Sequence, residues 1–415
     1  MDLTLKALNY TYRHTLYASW GGYITQAIIN NLTPLLFVTF QREFGISLDA
    51  IGLLISLNFM VQITVDLIAA KLADRIGWRK CIVFAHIADT VGLVCLGVLP
   101  GLLPNPYIGL IAAVTINAIG GGLIEVLISP IVESLPGEEK ASAMSMLHSF
   151  YCWGHMAVVI LSTLYFLAAG IENWPYLPMI WALVPLANAF LFARVPLRTM
   201  VEQGREMPLR KLFSSGLFWL LLVLMVSAGA SEQAMSQWSS LFAELGLGVS
   251  KTVGDLLGPC AFALFMALSR TFYGLKGGRI DLHKALVFSS VCCAACYILV
   301  VFSANPLISL IGCALIGLFV GLMWPGVFSL SARVFPMGGT AMFAYLAFAG
   351  DVGCSLGPGL VGFISDRVIG GGGAFLTAWF AGGTITEIGL KAGLLTAIVF
   401  PVVLIFGVLA LWKRR

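Results

Sequence analysis

The sequence predicts an all-α integral membrane protein of twelve transmembrane helices, arranged as two pseudo-symmetric six-helix bundles. Three observations lead there. Hydrophobic residues make up 59% of the 415 residues and charged residues 11%, and the mean hydropathy is +0.94, a balance that soluble domains of this size do not reach. Twelve apolar stretches, each close to the roughly 20 residues that a bilayer crossing needs, are divided by short polar breaks. Short motifs of the first half return in the second at offsets of 195 to 204 residues.

Backbone groups in hydrocarbon must bond within their own segment, so runs of this length read as helices and not as barrel strands. We label them α1 to α12. α1 (16–41) follows the polar stretch Met1–His14 and carries Gln26, Asn30 and Asn31. α2 (48–73) starts after Phe44-Gly-Ile-Ser47 and ends at the basic turn Arg75-Ile-Gly-Trp-Arg-Lys80, from which α3 (80–100) leaves. α4 (106–135) is the long apolar stretch around Glu125, α5 (141–170) holds His148 and His155, and α6 (175–196) runs into the basic segment Arg194–Lys211. α7 (213–244) carries Glu232, and α8 (250–275) starts after Leu247-Gly-Val-Ser250 and ends before Arg279-Ile-Asp-Leu-His-Lys284. α9 (284–303) contains Cys292, Cys293 and Cys296, read as small packing residues because no His or fourth Cys stands nearby. α10 (306–334) and α11 (340–366) are rich in glycine and proline, which permit close contact and local bending. A glycine-rich connection, 370–383, leads to α12 (390–412).

The repeats pair Phe44-Gly-Ile-Ser47 with Leu247-Gly-Val-Ser250 at an offset of 203, and the two basic turns at 204. Gly122 and Pro130 of α4 pair with Gly317 and Pro325 of α10 at 195. A six-plus-six duplication follows, with halves at 1–198 and 213–415 and a linker at 199–212. Paired halves of this kind place a binding site at their interface near the midplane and suit alternating access.

Of the 24 Lys and Arg residues, only Arg42, Lys251, Arg367 and Lys391 fall on the side opposite the termini. This bias predicts cytoplasmic termini in a cell (inner) membrane, and it makes the net charge of +4 a topology signal and not a nucleic-acid one. No cleavable leader is expected. The nine cysteines lie in or beside the helices, so no structural disulfide is expected. The Asn31-Leu-Thr33 sequon is buried in α1. No Gly-x-x-x-x-Gly-Lys-[Ser/Thr] loop is present, which excludes ATP as the direct energy source. Neither a Ser/His/Asp set nor a His-rich stripe stands out among the five histidines, so enzyme activity, a metal and a cofactor are not expected. The fold works as a monomer.

The polar residues inside the helices carry the functional reading. A charge at a helix centre costs at least roughly 2.5 to 3.5 kcal/mol, so such residues face a cavity, a proton or a polar solute. On α4, Asn117, Gly121, Glu125, Ser129 and Glu133 recur every four residues on one side. On α1, Gln26 and Asn30 do the same beside Asn31; on α7, Gln233 and Gln237 do so beside Glu232. At an offset of 203, Asn30 falls on Gln233, so both halves offer an amide at one depth. Amides donate and accept, which matches sugar hydroxyls, and Trp238, Trp324, Tyr151 or Trp153 could supply an apolar ring for a sugar's C–H face. The alternative use of these amides is interhelical glue. Glu125, Glu232 and Asp351 are candidates for coupling to H+ or Na+, and His148, seven residues before His155, is a candidate relay or a packing residue. Asp66 and Arg270, related by 204, are read as gating or structural residues.

Ala73-Asp74-Arg75-Ile76-Gly77-Trp78-Arg79-Lys80 resembles the signature loop of the major facilitator superfamily, usually Gly-x-x-x-Asp-Arg-x-Gly-Arg-Arg, with Ala70 in place of the leading glycine. Asp74 is then expected at the N-terminus of α11, with Arg75 or Arg79 paired to Glu133 at the end of α4. A second resemblance is to the fucose/galactose/hexose symporters and the related sodium-dependent glucose carriers. It rests on Gly120-Gly-Gly-Leu-Ile-Glu125, Ser129-Pro130 and Ala228-Gly-Ala-Ser-Glu232. Asn30 or Asn31 stands where proton-coupled fucose transport uses an acid, and Ser129-Pro130-Ile131 replaces the group's Asn-Pro-Tyr. The resemblance implies secondary active transport of a small neutral, sugar-like solute with H+ or Na+. A proton-driven exporter of amphipathic compounds, or a transporter-like sensor, is the alternative.

Overall fold

The computed structural model describes residues 10–136, 140–197, 209–276, 281–335, 337–372 and 383–412. All are helices and their connections. Ten helices among the described residues are long and apolar enough to cross a membrane. The other two crossings, α1 and α6, are divided.

α1 starts at Tyr12, where Thr11 and His14 cap each other's backbone. It runs as Tyr12–Asn31, a tight turn Thr33–Leu36 and Phe37–Phe44, and not as the single helix expected. Pro34 is the cause: it has no N–H for the carbonyl four residues back, that of Asn30. α6 divides likewise into Tyr176–Trp181 and Leu183–Phe192, four residues after Trp181 coming Pro185. α10 divides into Pro306–Val320 and Met323–Val334 ahead of Pro325. The unbroken crossings are α2 (Leu48–Ile76), α3 (Trp78–Leu102), α4 (Pro106–Ser134), α5 (Lys140–Ala169), α9 (Leu282–Phe302) and α11 (Gly339–Arg367). α7 (Gly216–Leu241) ends in a wide turn, Phe242–Gly246, and α8 (Lys251–Asp255, Ala261–Lys276) has another at Leu256–Cys260, which contains Pro259. α12 begins at Ile385, earlier than expected, and divides into Ile385–Thr396 and Val399–Trp412.

The duplication is visible in local geometry. Gly45 and Gly248, the glycines of the first repeat, both take left-handed backbone, φ 66° and 67°, a conformation that glycine adopts at little steric cost. A further repeat that the sequence reading passed over starts α4 and α10. Asn105 and Asn305 each accept the N–H two residues on, at 3.0 and 2.9 Å, with a proline as the first helical residue. Gly122 of α4 lies against the Gln62 backbone of α2, as Gly317 of α10 lies against the Phe262 backbone of α8.

The halves meet at two seams, α2 with α11 and α5 with α8, which are each other's equivalents under the duplication. We call the face where α1 begins and α12 ends the terminal face, and the opposite one the distal face. Towards the distal face the seam is bonded across. Ser56 Oγ donates to the Ser355 carbonyl at 3.1 Å, and Ser355 Oγ to the Ser56 carbonyl at 3.2 Å. Gly52 sits on Gly362, Arg42 pairs with Glu244 at 2.9 Å, and Lys251 donates to the Leu35 carbonyl at 2.6 Å.

Within the C-terminal half, α7 and α11 pack at backbone distance through Gly229, Gly350, Gly353 and Gly357. A Cβ on Gly353 would collide with the Val226 carbonyl, a backbone atom that cannot swing aside. Gly353→Val is therefore expected to cost about 1 to 3 kcal/mol or more, read as a fall in thermal unfolding temperature in detergent. Gly101→Ala, where a Cβ meets open space, is the control and should leave it unchanged.

Candidate functional site

The site is built around the break in α1. The Asn30 carbonyl has lost its helical donor to Pro34, and Gln237 Nε2 of α7 takes it at 3.0 Å, joining the two halves. The same Nε2 donates to Gln233 Oε1 at 3.0 Å. Asn30 Oδ1 accepts twice from α2, from Asn58 Nδ2 at 3.1 Å and from Gln62 Nε2 at 3.0 Å. Gln62 Oε1 in turn accepts from Gln26 Nε2 at 3.0 Å, and Gln26 Nε2 also donates to Glu125 Oε2 at 3.1 Å. The result is one continuous chain of side chains from Asn58 through Asn30, Gln62 and Gln26 to Glu125.

Glycines make room for it. Gly120 of α4 lies against the Asp89 carboxyl of α3, Gly121 against the Gln26 and Gln62 side chains, and Gly122 against the α2 backbone. The run that precedes Glu125 thus serves three different neighbours. A cavity of about 20 Å³ lies beside the chain, lined by Asn30, Asn58, Asn117 and Gln237 with Pro34; that is room for about one water.

Of the residues singled out from sequence, Gln26, Asn30, Glu125, Gln233 and Gln237 are brought together. Asn117 lines the cavity but packs on Gly92 of α3, and its Oδ1 is buried without a hydrogen-bond partner. Asn31 turns the other way, donating to the Ala27 carbonyl at 2.9 Å and to Tyr151 Oη at 3.3 Å. Trp238 lies apart from the chain: it is fully buried, donates to the Pro358 carbonyl at 3.1 Å and fills the contact between Gly52 and Gly362. Trp324 is half-buried with its ring over Gly350. His148 is half-buried edge-on to Tyr23, rings 5.2 Å apart, and Tyr23 Oη bonds Ser129 Oγ at 3.0 Å.

The gating residues divide. Arg79 reaches the end of α6, donating to the Phe192 and Val195 carbonyls at 2.9 and 2.8 Å, where a cation offsets the partial negative charge of the helix end. Its expected partner Glu133, and Asp74 and Arg75, have side chains outside the described ones. Arg270 pairs with Glu232 at 2.9 Å, both nearly excluded from solvent, and also donates to Cys152 Sγ of α5 at 3.3 Å and to the Gly321 carbonyl at 3.4 Å. That carbonyl has lost its helical donor to Pro325. The Asp66 carboxyl bonds that of Asp351.

Three contributors, Asn58, Gln62 and Asp89, escaped the sequence reading. Asn58, Gln62 and Asp66 recur every four residues on α2, the same signal that exposed α1, α4 and α7. Asp89 is completely buried on α3 with neither oxygen hydrogen-bonded. The described residues therefore gather Asp66, Glu125, Glu232 and Asp351 close enough to act on one another, with Arg270 paired to Glu232 alone among them. Such an excess of carboxyls is stable only with protons or another cation in place.

Removing one partner of a buried ion pair strands the other, at about 3 to 5 kcal/mol, whereas replacing both is often neutral. Arg270→Met is expected to lower the thermal unfolding temperature sharply, and Arg270→Met with Glu232→Gln to recover most of the loss.

The model of the Major Facilitator Superfamily matches residues 19–358. The multi-drug resistance efflux pump PmrA of Streptococcus pneumoniae is 23% identical over 369 residues, covering 84% of this chain and 88% of the pump. Among solved structures, a bacterial homologue of the human lysosomal transporter Spinster, inward-facing and unoccupied, has a TM-score of 0.74 at 16% identity, covering 97% of this chain and 98% of that one. A D-xylose–proton symporter follows at 0.71 and 16%, covering 94% and 97%. A variant of the Escherichia coli fucose:proton symporter FucP stands at 0.62 and 17%, covering 94% and 98%. Twelve crossings in two related halves, seams at α2–α11 and α5–α8 and a family match over most of the length agree: the chain belongs to the Major Facilitator Superfamily.

Proposed function

We propose that this secondary transporter moves a small neutral polar solute, a hexose-type sugar, by alternating access coupled to H+ or Na+. The observation that carries the reading is the convergence of amides from both halves on Asn30, ending at Glu125. An amide offers donor and acceptor together, as a sugar hydroxyl requires. In the conformation seen, most of the amide groups bond to one another, Gln26 Oε1 and Asn117 Oδ1 being left without a partner, and the space beside them is about 20 Å³. A solute would enter by exchanging amide–amide bonds for amide–hydroxyl bonds. Tyr151 and Trp324, both half-buried, are the rings proposed to cover its C–H face. Glu125, Glu232, Asp351 and His148 remain the coupling candidates, and the carboxyl excess supports a coupling cation. The bonded distal seam beside a half-buried Glu125 supports access from the terminal face, taken as cytoplasmic in a cell membrane, with the monomer as the working unit. Sharing a fold with the xylose and fucose symporters is in keeping with this reading.

The alternative, an exporter of amphipathic compounds, is favoured by the likeness to the pneumococcal pump. Uptake into proteoliposomes separates the two. Accumulation of one labelled hexose from a panel, driven by an imposed H+ or Na+ gradient, supports the symporter. No sugar uptake under either gradient, with proton-driven extrusion of a cationic dye, would replace it by the exporter; sugar binding without movement would make the protein a sensor.

Two substitutions sharpen the test. Gln62→Ala removes a donor from Asn30 and an acceptor from Gln26, so solute affinity should fall by about tenfold or more, the equivalent of one to two lost hydrogen bonds. Glu125→Gln should abolish accumulation while sparing exchange where Glu125 carries the coupling ion, and should abolish binding where it contacts the solute.

A further inference from the structure

Asp66 of α2 and Asp351 of α11 belong to opposite halves, yet their carboxyl groups are hydrogen-bonded to one another. They are 7% and 2% exposed, and Asp66 Oδ1 and Asp351 Oδ2 are buried without a hydrogen-bond partner. An ionised carboxyl group is an acceptor only, so a bond between two of them requires a proton on one. The position in the fold is specific. Along α2 and α11, the pair lies on the terminal-face side of the reciprocal Ser56–Ser355 contact. At the equivalent place on the other seam, Arg270 of α8 reaches Cys152 of α5 at 3.3 Å. There the charge is neutralised by Glu232; at Asp66 and Asp351 each carboxyl has the other.

Among the described side chains, the groups around the pair do not supply a cation of their own. From α4 the nearest is Glu125, from α1 Tyr23, and one turn along α11 is Cys354. Glu232 of α7 is bound to Arg270 of α8. Asp89 of α3 is turned to Gly120. Lys391 of α12 is held at the distal end by Glu387 and the Ser303 carbonyl, and Arg210 and Lys211, on the short linker helix Leu209–Phe213, lie at the terminal face beside the start of α11.

We propose that Asp66 and Asp351 share one proton and act as a proton-operated clasp between the two halves. With the proton in place the two carboxyls bond and hold α2 against α11. When it leaves to water at the terminal face, two carboxylates remain in a low-dielectric interior, repel each other and part the helices on that side. The clasp re-forms when one proton returns from water. The proton-binding group is then the pair and not a single acid, with one proton released on each opening and one taken up on each closing. This deepens the transporter reading and rests on it for its role in transport, but the clasp itself is testable without a solute.

Hydrogen–deuterium exchange of the purified, reconstituted protein, corrected for intrinsic exchange, is followed from about pH 5 to about pH 9. Peptides covering 60–76 and 339–351 should open as pH rises, by about tenfold per pH unit above the midpoint, as release of one proton requires. Asp66→Asn, Asp351→Asn and the double variant replace the shared proton by an amide donor and should abolish that pH dependence. Either single variant suffices if the other does not purify. No opening in the unaltered protein, or an unchanged pH profile in the Asn variants, overturns the clasp. A pH-dependent opening lost in the Asn variants, with no hexose uptake, keeps the clasp and removes the sugar reading. Hexose uptake with a pH profile indifferent to both substitutions does the reverse.

Discussion

The structure depends on backbone carbonyls that prolines leave without donors inside the membrane. A helix in hydrocarbon tolerates proline only where another group takes the freed carbonyl. Pro34 frees the Asn30 carbonyl, and the donor is Gln237, a side chain of the other half. Pro325 frees that of Gly321, and the donor is Arg270. The break in α1 is therefore stabilised by the docking of α7, and the two events are linked. Any separation of the halves at this level would leave the Asn30 carbonyl without that donor.

Around that break the polar chain holds together because its members approach at backbone distance. Three consecutive glycines on α4 let Asp89, Gln26, Gln62 and the α2 backbone come against it. A methyl group at Gly120 would press on the Asp89 carboxyl, one at Gly121 on the Gln26 and Gln62 side chains, and one at Gly122 on the α2 backbone. The gathered carboxyls carry the complementary lesson. Asp66, Glu125 and Asp351 lie together with no cation paired to them among the described side chains, and such carboxyls cannot all be ionised in a low-dielectric interior. Packing, and not any spacing along one helix, brings the acids together.

Much of this was legible in the chain. The four-residue spacing on α1, α4 and α7 placed Gln26, Asn30, Glu125, Gln233 and Gln237 on inward faces, and the structure joins them. The Gly45 and Gly248 turns were readable as repeats from the matching Phe44-Gly-Ile-Ser47 and Leu247-Gly-Val-Ser250, and both glycines take left-handed backbone. The stripe on α2, Asn58, Gln62 and Asp66, obeys the same spacing and was readable too. Arg79 was not: its partners are carbonyls at the end of α6, and backbone groups leave no mark in sequence. Trp238 was equally opaque, since an aromatic beside a polar row reads the same whether it lines a cavity or fills a contact between glycines.

The sequence by itself determined the membrane class, the twelve crossings, the duplication and which faces are polar, because hydropathy and periodicity are local quantities. Only the tertiary structure decided who bonds whom: that Asn30 is the hub, that Arg270 neutralises Glu232, and that Asp66 meets Asp351. Those pairings join residues far apart in the chain or in opposite halves, and they depend on how closely glycine and proline let the helices approach. No spacing along a single helix encodes that distance.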